Sequence, residues 1–192
     1  MRRVLRLLAA LALVGAWANA PAAEEAVICF NYGCRDTALV AFDEGELKQV
    51  QAQFADATTP ETEREALARA VGFLYFFAGQ RSPVWRDHGG NYADDEVDGR
   101  MDCIDHSNNT TTFLDLLERR GWLRYHAVGE RVERGRFLSA HWTAQIVERD
   151  GGGQFAVDTW FLDPGEPASI FPLEDWLGGA WPPGRSFWKN GR

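Results

Sequence analysis

The chain has 192 residues, 45% of them hydrophobic and 25% charged, which is enough apolar side chain for one domain-sized core and too much for a disordered chain. Lys and Arg number 20 against 28 Asp and Glu, and the net charge of −8 repels a phosphate backbone, so nucleic acid is not an expected partner. Three cysteines are too few for a disulfide-dense miniprotein, and the glycines carry no collagen-like period.

Residues 1–22 read as a secretory signal. Arg2, Arg3 and Arg6 form a positive start, Leu7 to Val14 is an apolar run too short to span a bilayer, and Ala20, Pro21 and Ala22 match a cleavage site with the cut after Ala22. Losing three arginines would take the net charge from −8 to −11. The remainder, 23–192, is expected to be a single domain without an integral membrane segment, periplasmic or secreted. Ile28 is too large for the residue ahead of a lipidated cysteine, so Cys29 is read with Cys34 as a local disulfide near the mature terminus.

Glu44 to Ala55 and Glu61 to Ala78 have amphipathic helical spacing, and the second opens with Thr59 as cap and Pro60 at its first position. Gln80 to Met101 holds Pro83, Gly89, Gly90 and a run of acids, so a long loop is expected. A third helix should run from Cys103 to Arg120 and stop at Gly121. Strands are predicted over Leu123 to Val132, Phe137 to Glu148 and Gln154 to Phe161, the last two joined by the turn at Asp150 to Gly153. The Pro- and Trp-rich tail from Asp163 to Arg192 should wrap the body as loops and a short helix. Helices followed by strands imply an α+β domain with the Cys103 helix packed on an antiparallel sheet.

Cys103 is left without a partner once Cys29 and Cys34 pair, and an odd thiol is buried and inert, paired between chains, or kept free to react. A reactive thiol wants a helix N-terminus and an imidazole, and the imidazole wants a carboxylate or amide to fix its tautomer. Cys103 opens a helix, and His141 lies on the second predicted strand. Asp158 lies on the third. If Asp150-Gly151 forms a two-residue turn, His141 opposes Trp160 and Asp158 is its diagonal neighbour on the same face.

Asp102-Cys103-Ile104-Asp105-His106, the helix after it, Ala140-His141-Trp142 and Val157-Asp158-Thr159 together resemble the core of the transglutaminase-like superfamily. Within it they are most similar to the bacterial transglutaminase-like cysteine peptidases. The resemblance spans Asp102 to about Phe161, with Met101 and His106 standing where a glycine and an aromatic are usual. It implies a papain-like core in which Cys103 is the nucleophile, His141 the general base and Asp158 its orienter.

The Cys103 amide at the helix start is the natural oxyanion donor, with Gln80, Trp85 and Gln145 as alternatives for a side-chain partner. Asp102 and Asp105 beside the thiol would oppose a thiolate unless they cap backbone amides, face away or hold a cation. Asp94, Glu96, Asp98, Gly99 and Asp105 follow the spacing of a calcium loop; the other reading is a solvated acidic loop with Asp102 or Asp98 as a helix cap. No cofactor is required by the chemistry, and His88, His106 and His126 lack zinc spacing. The expectation is an exported thiol hydrolase acting on an amide or peptide bond of a cell-envelope protein through a thioester, acyl transfer remaining open. The alternative is a catalytically inactive binding module of the same fold.

Overall fold

The computed structural model describes residues 23–90, 94–135 and 140–183. The expected signal segment and the end of the tail, with Trp188, lie outside them. The described chain is α+β with two antiparallel sheets. Strands β1 (Glu24–Phe30) and β2 (Asp36–Phe42) form a hairpin that the sequence reading did not anticipate. Helices α1 (Glu44–Ala52) and α2 (Pro60–Gly79) follow, then a 3-10 turn (Pro83–Arg86) and helix α3 (Cys103–Arg119). The larger sheet runs in the order β3 (His126–Arg134), β4 (His141–Glu148), β5 (Gln154–Asp158) and β6 (Ser169–Pro172), with α4 (Leu173–Leu177) directly after it.

The helix ends are where local chemistry put them. Asp43 and Glu46 make a reciprocal capping box on α1, and Thr59 and Thr62 make the corresponding pair on α2 behind Pro60. On α2 the buried Ala66, Leu67, Ala70, Val71, Leu74 and Ala78 keep three- and four-residue spacing and face the core. Helix α3 packs on β1 and on β4, so it is shared by the two sheets. Phe113 on α3 meets Tyr75 of α2 edge-on at 4.9 Å and Phe42 of β2 at 6.1 Å.

A buried carboxylate joins α2 to the larger sheet. Glu63 accepts the backbone N–H of Arg124 at 2.7 Å and those of Tyr125 and His126 at 3.0 Å, and its Oε1 lies 2.9 Å from His126 Nδ1. His126 Nε2 is 3.2 Å from Arg64, a donor only, so Nε2 accepts and Nδ1 donates to Glu63. Burial acts to raise the Glu63 carboxyl, but the bonds from His126 and from the backbone of Arg124 and Tyr125 just ahead of β3 outweigh it and hold it below its usual range.

The β1–β2 hairpin turns through four successive residues in the left-handed region: Asn31, Tyr32, Gly33 and Cys34, at φ of 65°, 64°, 66° and 58°. Three of them carry a Cβ, for which this backbone costs about 1 to 2 kcal/mol each. The cost is offset by the Cys29–Cys34 disulfide and by bonds from Asn31 to the Arg100 carbonyl, Asp36 and Asp98. The disulfide expected from the sequence is therefore present, and it closes a turn rather than pinning a free end. Among the described residues no helix is long and apolar enough to cross a membrane.

Two outcomes are expected. Because the folded Glu63 carboxyl is held below its unfolded value, its stabilisation is complete above that value and is lost as pH falls through the folded one. Glu63→Gln should cost about 1 to 3 kcal/mol at pH 7 and flatten the acid limb of a urea-unfolding series below about pH 5. Replacing both Cys29 and Cys34 by Ser should lower stability by about 2 kcal/mol, read calorimetrically as a fall in Tm of about 4 to 8 °C.

Candidate active site

Cys103 is the first residue of α3, and the segment before it is extended at Asp102. Asp102 Oδ1 accepts the amides of Ile104 and Asp105, each at 3.0 Å, while Asp105 Oδ2 accepts the Asp102 amide at 3.2 Å. This box leaves the Cys103 N–H as a donor at the helix start with no partner among the described residues. The remaining carboxylate oxygens are taken by the left-handed turn: Gly33 N–H donates to Asp102 at 3.0 Å and Cys34 N–H to Asp105 at 2.6 Å. The two acids beside the sulfur are thus caps and anchors. Burial, with the charge of Asp102, pushes Asp105 up to about 6. The Cys103 sulfur is half-buried and 3.9 Å from the Ala140 carbonyl oxygen.

The register of β4 against β5 is the predicted one, with Ala144 opposite Val157 and Val147 opposite Gln154. The turn is longer than the two-residue case and keeps its facing. Gly152, at φ 67°, donates to the Glu148 carbonyl, so the chain reverses through Arg149 to Gly152 with the facing residues unchanged. His141 starts β4 and Asp158 ends β5; the predicted strand start at Phe137 and its two successors lie outside the described residues. The diagonal pair closes as a hydrogen bond of 2.7 Å between His141 Nε2 and Asp158 Oδ2.

Asp158 is 1% exposed and fully engaged. Oδ2 also accepts the Trp176 indole N–H at 2.9 Å, and Oδ1 accepts the Trp160 amide at 3.1 Å. The His141 ring sits among Trp160, Phe161 and Trp176, with ring centres 5.1 to 5.7 Å away. Burial acts to lower its pKa. The hydrogen bonds to Asp158 and to the Cys103 sulfur, with the charges of both, outweigh it and bring the ring to about 9. With Nε2 committed to Asp158, Nδ1 is the ring nitrogen left for the sulfur. His141 and Asp158 therefore meet directly, and the Cys103 sulfur lies at the Ala140 carbonyl, beside His141 in the chain and close enough to bear on its ring.

Trp176 was not singled out. It lies on α4, a helix of five residues, and is fully buried, with Arg134 stacked over its ring at 4.5 Å and bonded to its carbonyl oxygen at 2.6 Å. The available signal was an indole in a Pro-rich tail, which looks like ordinary core filling. What distinguishes it is a buried acceptor at the end of β5, visible only once the tail is placed.

Of the side-chain oxyanion candidates, Gln145 is drawn away from Cys103. Gln145 lies four residues along β4 from His141, about 13 Å away, and spends its amide on Gln154 at 3.2 Å. Gln80 and Trp85 line a surface groove with Phe76 and Pro164, and no hydrogen bond or ring contact joins either to Cys103 or His141 among the described residues. The expected calcium set is likewise dispersed. Asp94 bonds the Tyr32 hydroxyl, Asp98 faces Asn31 and Arg86, and Asp105 serves the helix cap, so these acids and Glu96 do not form a cluster among the described residues. The one cluster of ligand-type atoms there is Cys29, Cys34 and Asp105, and its sulfurs are joined to each other.

No family model matches the chain, and comparison with curated proteins and with solved structures returned no match either.

His141 should titrate near 9 in an NMR pH series, above its ordinary value of 6.5. A raised folded value means its stabilisation is complete below about pH 6.5 and is lost as pH rises through about 9. In Asp158→Asn the midpoint should fall toward 6.5; one that stays near 9 would contradict the assignment of its cause.

Proposed function

We propose that the chain is an exported thiol hydrolase that cleaves an amide or peptide bond of a cell-envelope protein or peptide. The observation carrying this reading is the meeting of Cys103, His141 and Asp158 at a helix start whose Cys103 amide is uncommitted. The resemblance to transglutaminase-like cysteine peptidases, with their papain-like core, supports the same roles. The disulfide and the signal-like first 22 residues support export to the periplasm or beyond.

In the proposed reaction the Cys103 proton already rests on His141 Nδ1 near neutral pH, as a ring brought to about 9 requires, and the thiolate attacks the substrate carbonyl carbon. The oxyanion that forms accepts the Cys103 N–H, a donor already aimed by the capped helix. Collapse of the tetrahedral intermediate breaks the C–N bond, and His141 protonates the departing amine. A thioester remains. His141 then takes a proton from water, the hydroxide attacks the thioester, and the sulfur leaves as the thiolate while the ring keeps the proton. Asp158 keeps its own charge throughout, holding Nε2 and stabilising the imidazolium.

Iodoacetamide should alkylate Cys103 near neutral pH faster than it alkylates cysteine in a short unstructured peptide, and His141→Ala should slow the reaction roughly tenfold or more. Envelope extracts treated with the wild type should gain peptide termini that Cys103→Ala does not produce. A folded wild type whose sulfur is no faster than the peptide thiol would sink the hydrolase reading and leave a binding module.

A further inference from the structure

Besides Glu63–His126 and Asp158–His141, a third carboxylate–imidazole pair lies inside the domain behind Cys103. His106 is one turn further along α3, and its Nε2 is 3.0 Å from Asp87 Oδ2 while its Nδ1 is 2.9 Å from Thr159 Oγ1. Thr159 Oγ1 is in turn 2.9 Å from Thr110 Oγ1, and the Tyr75 hydroxyl donates to the His106 carbonyl at 3.2 Å. Nε2–H donates to Asp87 and Thr110 donates to Thr159, while the one Thr159 hydroxyl hydrogen serves either Nδ1 or the Tyr75 hydroxyl 3.3 Å away. Asp87, His106 and Thr159 are 1%, 2% and 6% exposed, so a substrate has no access and the trio is not another reaction centre.

Its connections lead to the proposed site from both sides. Asp87 Oδ1 accepts the Met101 N–H at 2.6 Å, so one carboxylate grips the backbone two residues before Cys103 and the side chain three residues after it. At the other end Thr159 directly follows Asp158, the residue that holds His141. We propose that His106 is a positioning residue that, with Asp87 and Thr159, sets the separation between the Cys103 sulfur and the His141–Asp158 pair. The proposal rests on the hydrolase reading and adds to it a residue that never touches substrate. Core filling alone would be served as well by an aromatic ring, but such a ring would take the ring N–H from Asp87 Oδ2 and one of three partners from the Thr159 hydroxyl.

The test is the pH–rate profile of Cys103 alkylation by iodoacetamide on the full chain, with Tm measured alongside. His106→Phe should slow alkylation at pH 7 about tenfold or more and move the midpoint of the profile, since small misplacements of a reacting pair are costly. Leu116→Ala destabilises α3 from its far end, about 20 Å along the axis, and should lower Tm while keeping the wild-type rate and midpoint. If His106→Phe does not fold, Thr159→Val carries the test: it should be slow, and Thr159→Ser should restore the rate. A fast wild type equalled by His106→Phe, or by Thr159→Val, overturns the positioning role alone, as does Leu116→Ala moving rate and midpoint equally. A wild-type sulfur no faster than a peptide thiol overturns the hydrolase reading and this role with it.

Discussion

The arrangement depends on a carboxylate that water does not reach. Taking an ion of this size out of water costs several kcal/mol unless hydrogen bonds replace its hydration. Asp158 meets that requirement with three donors drawn from three places: a ring on β4, the amide two residues ahead, and an indole on α4. Each donor constrains a different part of the chain. The β4–β5 register must put His141 on the Asp158 diagonal, the backbone after Asp158 must fold back on its own side chain, and the tail must return far enough to deliver Trp176. Losing one donor would leave the others holding an ion that is only partly solvated by protein, so the strand pair, the bend and the tail are tied to one another energetically.

The acids around Cys103 are handled differently. Asp102 and Asp105 are negative charges next to a sulfur that the proposed chemistry needs as an anion. Their lone pairs are spent on backbone N–H groups, two from the start of α3 and two from the left-handed turn, with the Asp102 amide closing the box. The disulfide hairpin supplies the turn donors. A segment far from α3 in sequence thereby decides the electrostatic setting of its first residue.

The parts legible in the sequence were those with a short-range rule behind them. Thr59 with Pro60 and Asp102 at α3 followed capping preferences, and the diagonal relation of His141 to Asp158 followed from strand parity, which the four-residue turn between them preserves. The β1–β2 hairpin escaped because its turn contains Asn31, Tyr32 and Cys34 at positive φ, where sequence rules look for glycine. Gln145 was one of three open alternatives for an oxyanion donor, and its place four residues along β4 from His141 could be read only from the structure. Trp176 and the pairing of Asp87 with His106 were invisible for one shared reason: both are contacts between remote segments that neither periodicity nor spacing encodes.

The tight β1–β2 turn also bears on oxidative folding. Three thiols can be joined wrongly, and the pairing that would disable the proposed nucleophile is one between Cys103 and either partner about 70 residues upstream. Closing the short ring between Cys29 and Cys34, five positions apart, is favoured over that long one by about 2 kcal/mol of chain entropy. Sequence proximity thus acts as a built-in safeguard: it favours the bond that consumes the two sulfurs able to compete for Cys103.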